Sequence, residues 1–252
     1  AVYYTLRYDS NGGTQYKDER YRKNTVVELD KVPARGSYTF TGWYADKELT
    51  EPIDEIQMTS DKTVYAGWRL TGVPDMLNGD EHFAYVAGYE DGTVRPNNKI
   101  TRAEVATIFY RLLDEDVRSA NETNVNPFAD VEEGMWFNTP VSTVASLGIV
   151  EGRPTGVFDP NAPITRAEFA TVCAQFDRSE IDKTFHFSDT HGHWAESFIE
   201  RAASLGWISG YEDGAFRPEN YITRAEAMTM INRVLKRLPE TEDDLIPGMK
   251  RW

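Results

Sequence analysis

The residues Ile-Thr-Arg-Ala-Glu occur three times in this chain, beginning at Ile100, Ile164 and Ile222. Aligned on their arginines, Arg102, Arg166 and Arg224, the copies lie 64 and 58 residues apart. Gly88, Gly152 and Gly210 each precede their arginine by 14 residues, and Pro96, Pro160 and Pro218 by 6. Offsets held that constant describe one loop-and-helix unit built three times. Such a unit cannot bury its apolar face alone and must stack on its neighbours, so the repeat constrains the fold more than any other feature.

Helix mechanics account for most of the motif. Thr101 and Glu104 have the spacing of a capping box, with Ile100 placed to pack on Val105 as a hydrophobic staple. Thr165 and Glu168 repeat the device with Ile164 and Phe169, as do Thr223 and Glu226 with Ile222 and Ala227. Beyond the cap, Val105, Ile108, Phe109, Leu112 and Leu113 form an apolar stripe at helical spacing. Phe169, Val172, Cys173 and Phe176 form the second stripe, and Met230, Ile231, Val234 and Leu235 the third. Cys173, the single cysteine, stands where Phe109 and Ile231 stand and reads as a core filler, not a nucleophile.

The arginine is the letter left over. It takes the first helical position, where the macrodipole disfavours a cation by about 0.3–1 kcal/mol. Two readings carry equal weight. In one, each arginine and the free helix amides beside it hold an external carboxylate or phosphate. In the other, each pairs with an internal acid such as Asp130 or Asp189 and braces one repeat on the next.

Repeats two and three share a further block. Phe128–Phe137 (FADVEEGMWF) matches Phe187–Glu196 (FSDTHGHWAE), with Trp136 and Trp194 again 58 residues apart. A helix is expected after each, carrying Val141, Val144 and Ala145 or Ile199, Ala202 and Ala203 on one face. Gly148 and Gly206 then sit where a left-handed terminator belongs. The tryptophans follow polar turns, where an exposed ring would suit a sugar, although a ring of that size is more often core. Repeat one lacks the block and so lacks its first helix.

Residues 1–70 differ in kind. A turn signal at Asn11-Gly12-Gly13 and the runs NTVVEL, YTFTGWY and KTVYAGW are β-branched and aromatic, without helical period. A compact β-rich module is expected there, then a linker over 71–80. The acidity is concentrated beyond the module: 11 acids face 10 bases in 1–70, against 30 and 17 in 71–252. So acidic a segment is a poor nucleic-acid binder, and any anionic partner needs a local positive site. No apolar run approaches the roughly 20 residues that span a bilayer. The chain opens on Ala1 and reads as a piece of a larger protein.

The N-terminal stretches YDSNGGT, FTGWYADKEL and TVYAGW resemble the Listeria–Bacteroides repeat, also called the internalin B-repeat. That resemblance implies a small β-grasp-like module serving as spacer or adhesive unit on a bacterial surface. The order FxD, W, GxxxG, P, ITRAE across residues 81–237 is similar to three S-layer homology repeats. It implies an all-α, pseudo-threefold domain at 81–238, with repeats at 81–118, 127–178 and 185–238. It further implies non-covalent anchoring of a surface protein to secondary cell-wall polysaccharide, typically through a pyruvylated sugar, outside the cell.

On that implication Arg102, Arg166 and Arg224 face the sugar's carboxylate. Trp136 and Trp194 stack on sugar rings, while Gly88, Gly152 and Gly210 let the backbone approach. Asp130 and Asp189 orient the arginines or accept sugar hydroxyls. Replacing Arg166 or Arg224 is then expected to weaken wall binding and leave the helices intact. Repeat two reads EGRPTG where the others read GYEDG, so its groove is expected to differ. The tail 239–252 is expected to be cut short before an aromatic helix that completes repeat one.

Neither catalysis, a metal nor a cofactor is expected. His191 and His193 lack further ligands at zinc spacing, and the GYEDG loops lack the alternating oxygens of a calcium loop. A helical-repeat scaffold for protein partners is the main alternative to sugar binding.

Overall fold

A computed structural model of the chain describes residues 1–79, 83–177 and 185–237. Two compact units result, Ala1–Gly72 and Val73–Trp252. The first is β-rich and the second helical.

Seven strands make up the first unit: β1 (Tyr3–Asp9), β2 (Glu19–Arg22), β3 (Val26–Glu28), β4 (Tyr38–Tyr44), β5 (Pro52–Ile53), β6 (Glu55–Gln57) and β7 (Lys62–Leu70). Five of them form a mixed sheet in the order β2-β1-β7-β4-β5, with β1 parallel to β7, and β3 pairs with β6 separately. The three β-branched runs thus become β3, β4 and β7. Asn11 and Gly12 do turn with positive φ (45° and 85°), but no tight hairpin forms around them. β1 and β2 pair from Leu6 opposite Glu19, leaving a long connection whose Gly13 lies against Trp68. A Cβ on Gly13 would come within 2.3 Å of that ring. The core gathers Leu6, Tyr8, Val27, Trp43, Met58, Val64 and Ala66, with Tyr16, Phe40 and Trp68 packed edge-on around it.

In the helical unit, six helices lie among the described residues: α1 (Arg102–Leu112), α2 (Glu115–Asn121), α3 (Asn138–Ser146), α4 (Arg166–Ala174), α5 (Glu196–Ser204) and α6 (Arg224–Val234). Complete capping boxes open α1, α4 and α6 at Thr101, Thr165 and Thr223. Gly148 and Gly206 end α3 and α5 with φ of 72° and 75°. The first helix of one repeat packs on the second helix of the previous one, α3 on α1 and α5 on α4. Repeat one has no such helix among its described residues. Its upstream segment reaches α6 and the turn after it instead, through Tyr85 to Asn232 (2.6 Å) and Arg237 to the Asn78 carbonyl (3.1 Å).

Part of the stretch read as a linker is packed. Val73 and Leu77 are buried, and Leu77 and Asn78 bond along the end of α1 near Leu113 and Leu112. Only α2 has no counterpart in the sequence reading: it carries no apolar stripe and buries no residue. The tail 239–252 lies outside the described residues.

The three staple isoleucines meet in a closed ring. Ile164 N donates to Ile100 O (3.0 Å), Ile222 N to Ile164 O (3.2 Å), and Ile100 N to Ile222 O (3.2 Å). All three side chains are at most 2% exposed. No repeat can leave without breaking two of these links. We therefore expect Ile164→Ala to destabilise the helical unit by about 2–5 kcal/mol, the cost of a large-to-small change in a packed core. Urea unfolding followed by far-UV circular dichroism reads that change.

Candidate functional site

Each arginine begins its helix and turns away from it, into the neighbouring repeat. Arg102 donates from Nε to the Phe158 carbonyl (2.8 Å) and from Nη2 to the Glu151 carbonyl (2.6 Å). Arg166 does the same to Phe216 (2.8 Å) and Ser209 (3.0 Å), and Arg224 to Val94 (2.8 Å) and Ala87 (3.0 Å). The remaining nitrogen, Nη1, faces the motif glutamate of the same neighbour. It lies 3.4 Å from Glu168 for Arg102, 3.8 Å from Glu226 for Arg166 and 2.6 Å from Glu104 for Arg224. Repeat one thus grips two, two grips three, and three grips one.

These guanidinium groups are 4–8% exposed. Burial pulls Arg102 and Arg166 below the ordinary arginine range, the neighbouring carboxylates opposing it. Each also lies over an aromatic ring of the loop it grips: Phe158 at 4.6 Å, Phe216 at 4.6 Å and Tyr89 at 5.1 Å. The internal-brace reading of the arginine therefore describes its bonds, with a different acid from the ones expected. Asp130 accepts the amides of Phe158 and Asp159 (2.7 and 2.8 Å), and Asp189 those of Phe216 and Arg217 (both 2.7 Å). They hold the gripped loop in shape, directly beneath the carbonyls that receive the arginine.

The helix amides are not free either. The first two of each helix donate to the next repeat's loop: Arg102 N to Ala162 O and Ala103 N to Pro160 O (both 3.0 Å), with the same pattern at Arg166/Ala167 and Arg224/Ala225. The capping box takes the other two, so no amide at these helix starts is left for an external anion. The sequence reading missed this because the acceptors lie in loops of another repeat, far away along the chain.

The gripped loops are shaped for the contact. Arg95, Asp159 and Arg217, each just before the loop proline, have φ of 47°, 62° and 59°. That left-handed backbone is costly outside glycine; here it follows the carbonyl that the arginine engages. Gly152 and Gly210 lie against Phe128 and Phe187, where a Cβ would come within 2.5 Å of the ring. Those glycines thus make room for the phenylalanine of the FxD block. Gly88 lines a groove in the matching loop of repeat one.

Two grooves open beside the arginines. One, of about 700 Å³, is lined by Arg102, Gly152, Arg153, Glu168, Trp194 and Tyr221 among others. The other, of about 220 Å³, is lined by Arg224, Gly88, Tyr89, Glu104, Arg111 and Trp136 among others. Trp136 and Trp194 are 63% and 60% exposed, unusual for rings of that size. Arg166 has the same bracket, but the tryptophan that would stand beside it belongs to the block absent from repeat one. Among the described residues no cluster of three or more histidine, cysteine, aspartate or glutamate side chains is placed to hold a metal.

Comparison with known proteins fits this arrangement. Residues 84–106, 127–170 and 186–228 match the S-layer homology domain, and residues 4–67 the Listeria-Bacteroides repeat domain. The chain carries three S-layer homology repeats, preceded by a Listeria-Bacteroides repeat domain. It is similar to cell surface glycoprotein 1 of Acetivibrio thermocellus, 44% identical over 179 residues that cover 66% of this chain and 8% of that protein. It is also similar to the cellulosome-anchoring protein of the same organism, 38% identical over 173 residues covering 66% of this chain and 39% of that one. An amylopullulanase of Thermoanaerobacterium thermosulfurigenes is 32% identical over 161 residues, 60% of this chain and 8% of the enzyme. The chain thus spans well under half of each of these relatives.

The brackets bear on one expectation, that replacing Arg166 leaves the helices intact, because they give its side chain a structural role as well. Removing it strands the buried Phe216 carbonyl, while the Ser209 carbonyl and the Glu226 carboxylate, which is 40% exposed, can turn to water. We expect Arg166→Ala to destabilise the helical unit by about 1–3 kcal/mol, the cost of leaving a buried acceptor unpaired. Arg166→Lys keeps the charge but loses the planar fork and should recover only part of it. Thermal and urea unfolding of the two variants measure both effects.

Proposed function

We propose that the helical unit anchors a larger surface protein, without a covalent bond, to the secondary polysaccharide of a bacterial cell wall. Its place is the cell wall or cell surface, and the unit acts by binding, not by catalysis. The relatives support this, one being named for anchoring and another for the cell surface. The amylopullulanase fits as an enzyme in which a similar segment is a small part of the whole.

The observation that carries the reading is the pairing, in each of two grooves, of an exposed tryptophan with a motif arginine and a loop glycine. An exposed indole face suits the apolar side of a sugar ring. The sugar we favour carries a pyruvate ketal, whose carboxylate meets the guanidinium edge at the groove wall. Arg102 and Arg224 serve the two tryptophan grooves and Arg166 the third, where stacking is weakest. Gly88, Gly152 and Gly210 lie where backbone and sugar come close, and Asp130 and Asp189 act on the arginines through the loops they shape. The isoleucine ring and the cyclic brackets support a pseudo-threefold arrangement of the repeats. The mixed sheet, with β1 parallel to the central β7, supports a β-grasp-like reading of the first module.

The test uses purified cell walls with and without their polysaccharide. Binding that disappears on stripping supports the proposal; binding that persists assigns the surface to a protein or peptidoglycan partner and contradicts it. Trp194→Ala removes an exposed ring, so it should weaken wall binding about fivefold or more, by about 1–3 kcal/mol as for other ring-stacking contacts. Its unfolding midpoint should stay at the wild-type value.

A further inference from the structure

The two exposed tryptophans are supported differently. Trp136 is followed by Phe137, a buried ring that meets the indole edge-on at 5.2 Å. Trp194 is followed by Ala195, too small for that role, and the ring beside its indole is the one before it, His193, at 5.5 Å. At the position of His193 repeat two has Met135, and at the position of Glu219 it has Asn161. Repeat three therefore props its tryptophan with a titratable group where repeat two uses an apolar one.

His193 is bonded at both ring nitrogens. Nδ1 takes the amide of Ala195 (3.1 Å), the N-cap residue of α5, and Nε2 lies 2.8 Å from a carboxylate oxygen of Glu219. A backbone N–H can only donate, so Nδ1 is the bare nitrogen and the neutral ring carries its proton on Nε2, donated to Glu219. The side chain is 15% exposed. Its bond to Ala195 spans Trp194 and closes a small loop around that residue. Its bond to Glu219 ties this loop to the segment that carries Glu219 and Tyr221, which line the larger groove together with Trp194.

A second proton on His193 would sit on Nδ1 and face the Ala195 N–H, donor against donor. The charged ring must leave that amide. The acid it meets is Glu219, which alone lies within ion-pair distance of it among the described residues. Glu196, on α5, is taken by the Gly192 amide and by His191. Asp189 is taken by the amides of Phe216 and Arg217, and the Arg217 guanidinium by Asp213. Protonating His191, which is 97% exposed and pairs with Glu196, breaks no such main-chain bond.

We propose that His193 is the positioning residue of Trp194: its neutral ring sets the indole against the groove wall, and taking up a proton releases it, so that wall binding through the larger groove weakens as pH falls. The proposal rests on the polysaccharide-binding reading above. The smaller groove, with Met135 and Asn161 at these positions, has no such release.

The test follows the intact chain between about pH 8 and about pH 5, where histidines change charge. The indole N–H signals of Trp136 and Trp194, assigned by NMR through Trp136→Phe and Trp194→Phe, report the rings directly. The Trp194 signal should move with pH in the wild type and hold still in His193→Asn, while that of Trp136 holds still in both. Binding to purified walls should weaken about fivefold over the same range, the scale of one lost hydrogen bond. His193→Asn keeps an acceptor for the Ala195 amide but takes no proton, so its wall binding should not change with pH. His191→Gln should keep the wild-type profile. A merely structural histidine would shift the unfolding midpoint of His193→Asn and leave the pH profile as it was. If His193→Asn keeps the wild-type profile, or the wild type binds walls equally at both ends of the range, this inference fails and the anchoring proposal stands. If the wild type binds walls at no pH, both fail.

Discussion

The helical unit depends on one contact made three times, a buried arginine bonded to two carbonyls and a glutamate of the next repeat. A guanidinium at a helix start is opposed by the helix dipole, and burial adds a desolvation cost. Both are offset because the side chain leaves its own helix and finds acceptors in a loop held open by Asp130, Asp189 or, in repeat one, the turn around Asp91. The carboxylate of Asp91 is pushed down to about 2 by Thr93 and Arg95. Since each arginine needs the loop of the following copy, the bracket has meaning only in a closed set. The isoleucine ring closes that same set at the centre.

The grooves follow from this construction. Gripping a loop from the side leaves a trough between the loop and the helix it meets, and the next repeat's tryptophan stands at its edge. The arginine that closes the fold is therefore also part of the groove wall in two of the three copies, and on the proposed function one motif serves stability and recognition together. The construction also explains why the grooves differ: residues outside the bracket, such as Arg111 in repeat one and Gln175 at the same position of repeat two, are free to vary between copies.

Much of the local structure was legible in the sequence. The capping boxes, the stripes of α1, α4 and α6, the terminators Gly148 and Gly206 and the exposure of Trp136 and Trp194 are short-range or follow from polar turns. The partners of the arginines were not legible. They are main-chain carbonyls of Glu151, Phe158, Ala87, Val94, Ser209 and Phe216, and a carbonyl leaves no mark in residue identity. The only hint was the proline six residues before each arginine, since the left-handed residue preceding it aims the carbonyl. The packed segment at Val73 and Leu77 was hidden by its Gly, Pro, Asn and Asp content. α2 was hidden because it buries nothing and so has no period to read.

The central claim is that the motif arginines are inter-repeat brackets first and groove walls second. The most direct measurement is proton exchange at the side-chain Nε–H groups by NMR with arginine labelling, assigned through single Lys substitutions. Nε–H of Arg102, Arg166 and Arg224 should exchange far more slowly than those of exposed arginines such as Arg7, and should stay protected when wall polysaccharide is added. Exchange at the rate of exposed arginines in the free protein, with protection appearing only on adding polysaccharide, would mean that these groups wait for an external anion, contrary to the bracket described here.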